Sequence, residues 1–214
     1  MTQRDSEFID LLLQRRLIVS PCLELGVGYE GETNRGRVER AGIAYFGTDM
    51  QAGPQVDFVV DFESPLDTLH ALVGAVAPFG SILVLNVLEH TFDPIRVLNN
   101  AIALLRPEGT CVIITPTVWP LHGHPRDYWR INPDFYVEYC RRHALILREE
   151  TFLYLGRHAV AENGRQPGHY ELPAPSPSHG WNVYSRLIHK MFNTSGRGML
   201  FPSHVATGVV IQKP

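Results

Sequence analysis

Apolar residues in the first segment, Phe8, Ile9, Leu12, Leu13 and Leu17, fall at helical spacing with charges between them, and Pro21 follows. Residues 6–17 are therefore expected to form an amphipathic helix. The pattern then changes to short, uninterrupted apolar runs: Cys22–Leu25, Ile43–Phe46, Val56–Val60, Ile82–Leu88 and Cys111–Thr115. Runs without alternation suit strands buried on both faces. Helical patterns lie between them. Asp93-Pro94 offers an N-cap and a favoured first-turn proline, Ile95, Leu98, Ile102 and Leu105 make an apolar face, and Pro107-Glu108-Gly109 ends it. Asn132-Pro133 repeats the device before residues 135–144. Strands alternating with helices predict an α/β fold, a doubly wound Rossmann-like sheet with right-handed crossovers.

Leu145–Leu155 is a further strand candidate, and Val205–Ile211 reads as a closing strand. Between them, residues 163–180 hold three glycines, four prolines and two serines, and a helical stretch, Trp181–Phe192, follows. The expectation is one domain over 1–214, with a core at about 20–156 and 204–213 and an insertion at about 157–203. Trp181, Tyr184, Leu187, Ile188 and Met191 would line one apolar face of the inserted helix. That face needs a partner: the chain's own cleft, closed by a lid, or a second copy in a homodimer. The lid is the favoured reading.

Composition narrows the function classes. With 214 residues, 44% hydrophobic and 19% charged, the chain can bury a full core, and a formal charge of −3 gives no field to attract nucleic acid. Cys22, Cys111 and Cys140 are odd in number and lack CxxC spacing, which argues against a disulfide framework and points to a cytoplasmic protein. No stretch approaches the roughly 20 apolar residues of a membrane helix, so no membrane partner is expected.

The strongest local signal is Glu24-Leu25-Gly26-Val27-Gly28-Tyr29-Glu30-Gly31, which follows one strand and opens a helix. Gly26 and Gly28 permit a sharp turn and close approach of a ligand to backbone amides. About 20 residues on, the next strand candidate leads into Thr48-Asp49, where a carboxylate can accept both ribose hydroxyls of a nucleoside. Asp61-Phe62 ends the third. This spacing admits a dinucleotide oxidoreductase of the NAD type as well as an adenosylmethionine enzyme. Glu24 favours the second, since its charge suits ammonium and sulfonium groups and opposes a pyrophosphate.

With Asn86-Val87-Leu88-Glu89-His90-Thr91-Phe92-Asp93-Pro94 and Leu105-Arg106-Pro107-Glu108-Gly109 added, residues 20–155 resemble the class I adenosylmethionine-dependent methyltransferases, especially methyltransferase type 11. The resemblance implies a seven-stranded, mostly parallel sheet with helices on both faces and one antiparallel strand. It also implies S-adenosylmethionine as cofactor, held by Glu24, Gly26, Gly28, Asp49 (ribose), Asp61 and Phe62 (adenine), Asn86 and Val87. The sequence departs from the pattern at Glu108, where glycine is frequent, and at Asn86, which is acidic in metal-using relatives. No metal is therefore expected.

A hydroxyl acceptor usually needs a base. The stretch after the fifth strand, Thr117 to Arg130, leaves the same sheet edge and carries His122, His124 and Asp127, which with His90 are the catalytic candidates. The resulting expectation is a methyltransferase acting on a small-molecule or sugar-like acceptor, most readily at oxygen. The alternatives are a non-catalytic adenosylmethionine-binding or regulatory module and the oxidoreductase.

Overall fold

In the computed structural model, which describes residues 3–28, 33–117, 119, 121–123, 126–151, 153–155, 160–162 and 206–214, the apolar runs pair into one sheet. Its strands are β1 (Cys22–Leu25), β2 (Tyr45–Asp49), β3 (Phe58–Val59), β4 (Phe79–Leu85), β5 (Leu105–Pro116), β6 (Ile146–Leu147), β7 (Leu153–Leu155), β8 (Val160–Glu162) and β9 (Ala206–Gln212). The order is β3-β2-β1-β4-β5-β9-β7-β8, with β6 also on β9. Ile146 lies opposite Gln212 and Leu153 opposite Gly208, so β6 and β7 are two lengths of one strand, interrupted by the helical turn Glu149–Thr151. Counted so, the sheet has the seven expected positions and an eighth, β8, antiparallel to β7 on the outer edge. Only β8 and β9 oppose the common strand direction.

Alternation within the apolar runs feeds two cores. Leu23, Ile82, Val84, Cys111, Ile113, Val209 and Ile211 face one side, where α3 (Leu66–Val73), α4 (Pro94–Leu104) and α5 (Pro133–His143) deliver Leu69, Val73, Val97, Leu98, Ala101 and Tyr136. Cys22, Leu83, Val112, Ile114 and Val210 face the other, under Phe8, Ile9 and Leu12 of α1 (Gln3–Gln14) and Val38 of α2 (Arg35–Arg40). Helices on both faces are the reason the strands read as continuous apolar runs. All three cysteines are free and buried.

Several boundaries differ from the periodicity. β4 stops at Leu85, not Leu88, because Asn86 enters the left-handed region at φ 54° and Leu88–His90 form a helical turn. Asparagine tolerates that conformation better than most side chains. Glu108 also sits at φ 62°, which explains why glycine suits its position. The apolar face of α4 runs through Val97, Leu98, Ala101 and Leu104, while Ile95 is exposed. Of the insertion expected at 157–203, only β8 falls among the described residues; the helix expected at 181–192 lies outside them. Among the described residues, no helix is long and apolar enough to cross a membrane.

The two expected N-caps part company. Asp93 Oδ1 accepts the Arg96 amide at 3.0 Å, whereas the Asn132 side chain makes no cap bond and α5 starts on Pro133 alone. Asp93→Ala is expected to cost about 1 kcal/mol in urea denaturation and Asn132→Ala less than about 0.5 kcal/mol. Equal losses would refute the assignment.

Candidate functional site

The strand order reverses between β1 and β4, and Gly26 and Gly28 follow the carboxyl end of β1 while Asn86 and Val87 follow that of β4. Gly26 and Gly28 follow β1 with φ 66° and 74°, conformations that favour glycine. A Cβ on Gly26 would stand 2.7 Å from Cγ2 of Val87, so the absence of a side chain also lets the β1 and β4 turns meet. The Gly28 amide donates to Asp49 Oδ2 at 3.0 Å, and the Gln51 amide donates to Oδ1 at 3.0 Å, which fixes the carboxylate at the end of β2. Residues 29–32, including Gly31, lie outside the described residues.

Glu24, expected to place a cofactor-binding charge near the loop, is buried. Its carboxylate accepts from Tyr45 Oη at 2.6 Å and from the Asn34 amide and side chain at 3.2 and 2.9 Å. Burial raises its pKa, and these hydrogen bonds partly oppose the rise. It thus ties both ends of the glycine turn, β1 and the start of α2, to β2. The Asp61-Phe62 pair divides: Asp61 is exposed and takes the Glu63 amide on Oδ1, while Phe62 is buried in the core and does not stand open as an adenine contact. Asn86 donates to Asp5 Oδ2 at 3.2 Å, bringing the first turn of α1 to this edge.

The acceptor-side candidates also converge. The amides of Tyr128 and Trp129 donate to the Glu89 carbonyl, at 2.7 and 3.4 Å, and Trp129 Nε1 donates to the Thr91 carbonyl at 2.9 Å. The loop after β5 is thereby fastened over the turn after β4. His90 and His122, 32 positions apart in sequence, meet edge to face with centroids 4.9 Å apart. Asp127 pairs with both guanidinium amino groups of Arg130, accepts the His122 amide at 3.0 Å and lies 3.1 Å from His122 Nδ1. The Arg130 hydrogen bonds, foremost, and that of the His122 amide hold its carboxyl far below the usual range. His124 lies outside the described residues.

Two buried carboxylates absent from the expected site lie beside it. Glu89 is 1% exposed, and burial raises its pKa to about 7. Asp5 is 3% exposed on α1. Glu89 was visible in the motif beside His90, but its burial depends on the returning loop. Asp5 looked like one more surface charge on an amphipathic helix.

The fold is similar to that of several methyltransferases of known structure. The chain is similar to a SAM-dependent methyltransferase from Archaeoglobus fulgidus, with TM-score 0.55 and 14% identity over 99% of this chain and 95% of that one. It is also similar to the 1,6-didemethyltoxoflavin-N1-methyltransferase of Burkholderia thailandensis, solved with S-adenosylhomocysteine, with TM-score 0.59 and 11% identity over 99% and 78%. The cyclase SpnF is another neighbour, with TM-score 0.53 and 15% identity over 97% and 80%, so the same fold carries other chemistry. No family model and no curated protein matches the sequence.

Proposed function

We propose that the protein is an S-adenosylmethionine-dependent methyltransferase acting on a small-molecule or sugar-like acceptor, with oxygen as the favoured acceptor atom. The observation that supports this most is the cradle at the β1/β4 reversal. Two positive-φ glycines, one pressed against Val87, adjoin a carboxylate at the end of β2. Such a cradle fits a nucleoside with its ribose on Asp49, and the neighbours in this fold include methyltransferases.

When bound, the cofactor supplies an electrophilic methyl group on a sulfonium. The chain's residues position and deprotonate. Gly26 and Gly28 admit the ligand close to the backbone, and Asp49 accepts the ribose hydroxyls. On the acceptor side, Asp127 orients His122 through Nδ1, which presents Nε2 toward the acceptor side as a proton acceptor for a hydroxyl. His90, fixed at Nδ1 by the Arg126 carbonyl, flanks it. Holding acceptor and methyl at contact distance supplies much of the rate.

Calorimetric titration with adenosylhomocysteine and, separately, NAD tests the cofactor, and turnover on a panel of hydroxylated acceptors tests the reaction. Asp49→Ala is expected to weaken adenosylhomocysteine binding by about 1.5–3 kcal/mol, at least tenfold, by removing a charged acceptor. Tight NAD binding, or a folded Asp49→Ala variant with unaltered affinity, would overturn the assignment.

A further inference from the structure

We propose that Glu89, His90 and His122 bind one divalent first-row transition-metal ion, at a site distinct from the cofactor cradle. A carboxylate oxygen of Glu89 and one nitrogen from each imidazole lie within 4.8 Å of one another. Both Glu89 oxygens are buried, with no hydrogen-bond partner on another of the described residues. An ionised carboxylate so placed is costly unless a positive group meets it. Arg130 is the cation acting on it, but Arg130 is engaged by Asp127, and the carboxylates of Asp127 and Asp5 act on the same site. Among the described residues the carboxylate thus meets two other carboxylates and one guanidinium that is already paired.

The imidazoles are set as ligands. Nδ1 of His90 lies 2.5 Å from the Arg126 carbonyl oxygen, which can only accept, so Nδ1 carries the hydrogen. Its Nε2, 3.7 Å from Glu89 Oε1, then bears the lone pair. Nδ1 of His122 faces Asp127 Oδ2 at 3.1 Å, the carboxylate-to-imidazole arrangement that fixes the tautomer and ring direction of a metal-binding histidine. Metal bonds of about 2.0–2.2 Å need ligand atoms roughly 3–4 Å apart, so the three side chains close around the ion by about 1 Å. Two imidazoles with one carboxylate favour ions of the zinc, iron or manganese kind over magnesium, and leave coordination positions open. The expectation of no metal rested on Asn86 standing where metal-using relatives carry an acidic residue; the structure brings a third donor, His122, from the loop after β5 to Glu89 and His90. If the methyl-transfer reading holds, an open position can take the acceptor oxygen and lower its pKa, with the imidazoles as ligands instead of bases. Ion binding itself does not depend on that reading.

The test uses untagged, full-length protein stripped with a chelator and titrated with Co2+, whose visible absorption reports nitrogen and oxygen ligation, with Zn2+ as competitor. One equivalent is expected to bind. Glu89→Gln and His122→Ala should each weaken Co2+ binding about 100-fold, and Asp127→Asn about tenfold through His122. His143→Ala, exposed at the end of α5, should bind as wild type. Circular dichroism checks folding, and the near-isosteric Glu89→Gln keeps the test decisive should His122→Ala disturb the loop. Absence of saturable one-to-one binding, retention of binding by folded Glu89→Gln, or equal affinity for Mg2+ would overturn the proposal. Adenosylhomocysteine calorimetry on the same stripped protein separates the two readings. Its failure with Co2+ binding intact removes the cofactor assignment and leaves the metal site, and the converse removes the metal site alone.

Discussion

Glu89→Gln is expected to make the metal-free protein more stable at pH 8 while it abolishes methyl transfer. Burial of the carboxylate, helped by the nearby charges of Asp127 and Asp5 and opposed by its own backbone amide and by Arg130, raises its folded pKa from the ordinary 4.5 to about 7. An unfolded chain would release that proton near the ordinary value. Between those two pKa values the native state holds a proton that the unfolded state has lost, so stability falls as pH rises through the window. Above the folded pKa the full cost is present, on the order of 3 kcal/mol. Glutamine keeps the shape and removes the titration. Urea unfolding of chelator-treated protein at pH 5 and pH 8 should show wild type losing stability over that interval and the variant changing much less. Parallel pH profiles for the two proteins would show that Glu89 ionises normally. A gain in stability with a loss of activity is the pattern of a site residue kept at a cost to the fold.

Gly26→Val is expected to destabilise the fold by about 2–4 kcal/mol and to remove adenosylhomocysteine binding. Two effects combine. The position has φ 66°, disfavoured for any β-branched residue, and a Cβ there meets Val87 Cγ2 at 2.7 Å. Relief requires the turn after β1 to move away from the turn after β4, which opens the crevice that would hold the cofactor. Gly36→Ala is the control. Gly36 lies in α2, and a Cβ built there meets nothing within 4 Å, so alanine should stabilise by about 0.5–1 kcal/mol through helix propensity. A Gly26→Val protein that is as stable as wild type and binds adenosylhomocysteine normally would show that neither the backbone nor the Val87 contact matters.

Sequence periodicity located the cores of β1, β4, β5 and β9, because strands covered on both faces are apolar at every position, and such runs stand out against charged helices. It located α4 because Asp93-Pro94 is a local signal that acts within one turn. It did not separate β6 from β7, since the break at Glu149–Thr151 is imposed where two lengths must both pair with β9. Nor did it identify α3, whose eight residues are too few to establish a period. Gly26, Gly28 and Asp49 were legible for a physical reason: turn conformation and strand-end position are set within a few residues of the chain.

The sequence by itself therefore determined the sheet, its helical cover and the strand-end turns on which the proposed cofactor cradle is built, all of which follow from local periodicity and backbone freedom. Tertiary structure alone decided the state of the charges. Glu24 is a satisfied internal anchor because Asn34 and Tyr45 reach it, and Phe62 is core because α3 and α4 cover its side of the sheet. Glu89 is a buried carboxylate facing two imidazoles, with no hydrogen-bond partner on another of the described residues, because the loop after β5 folds back over the turn after β4. Burial and partner choice depend on contacts between segments 10 to more than 80 positions apart, and no window of sequence contains both sides of such a contact.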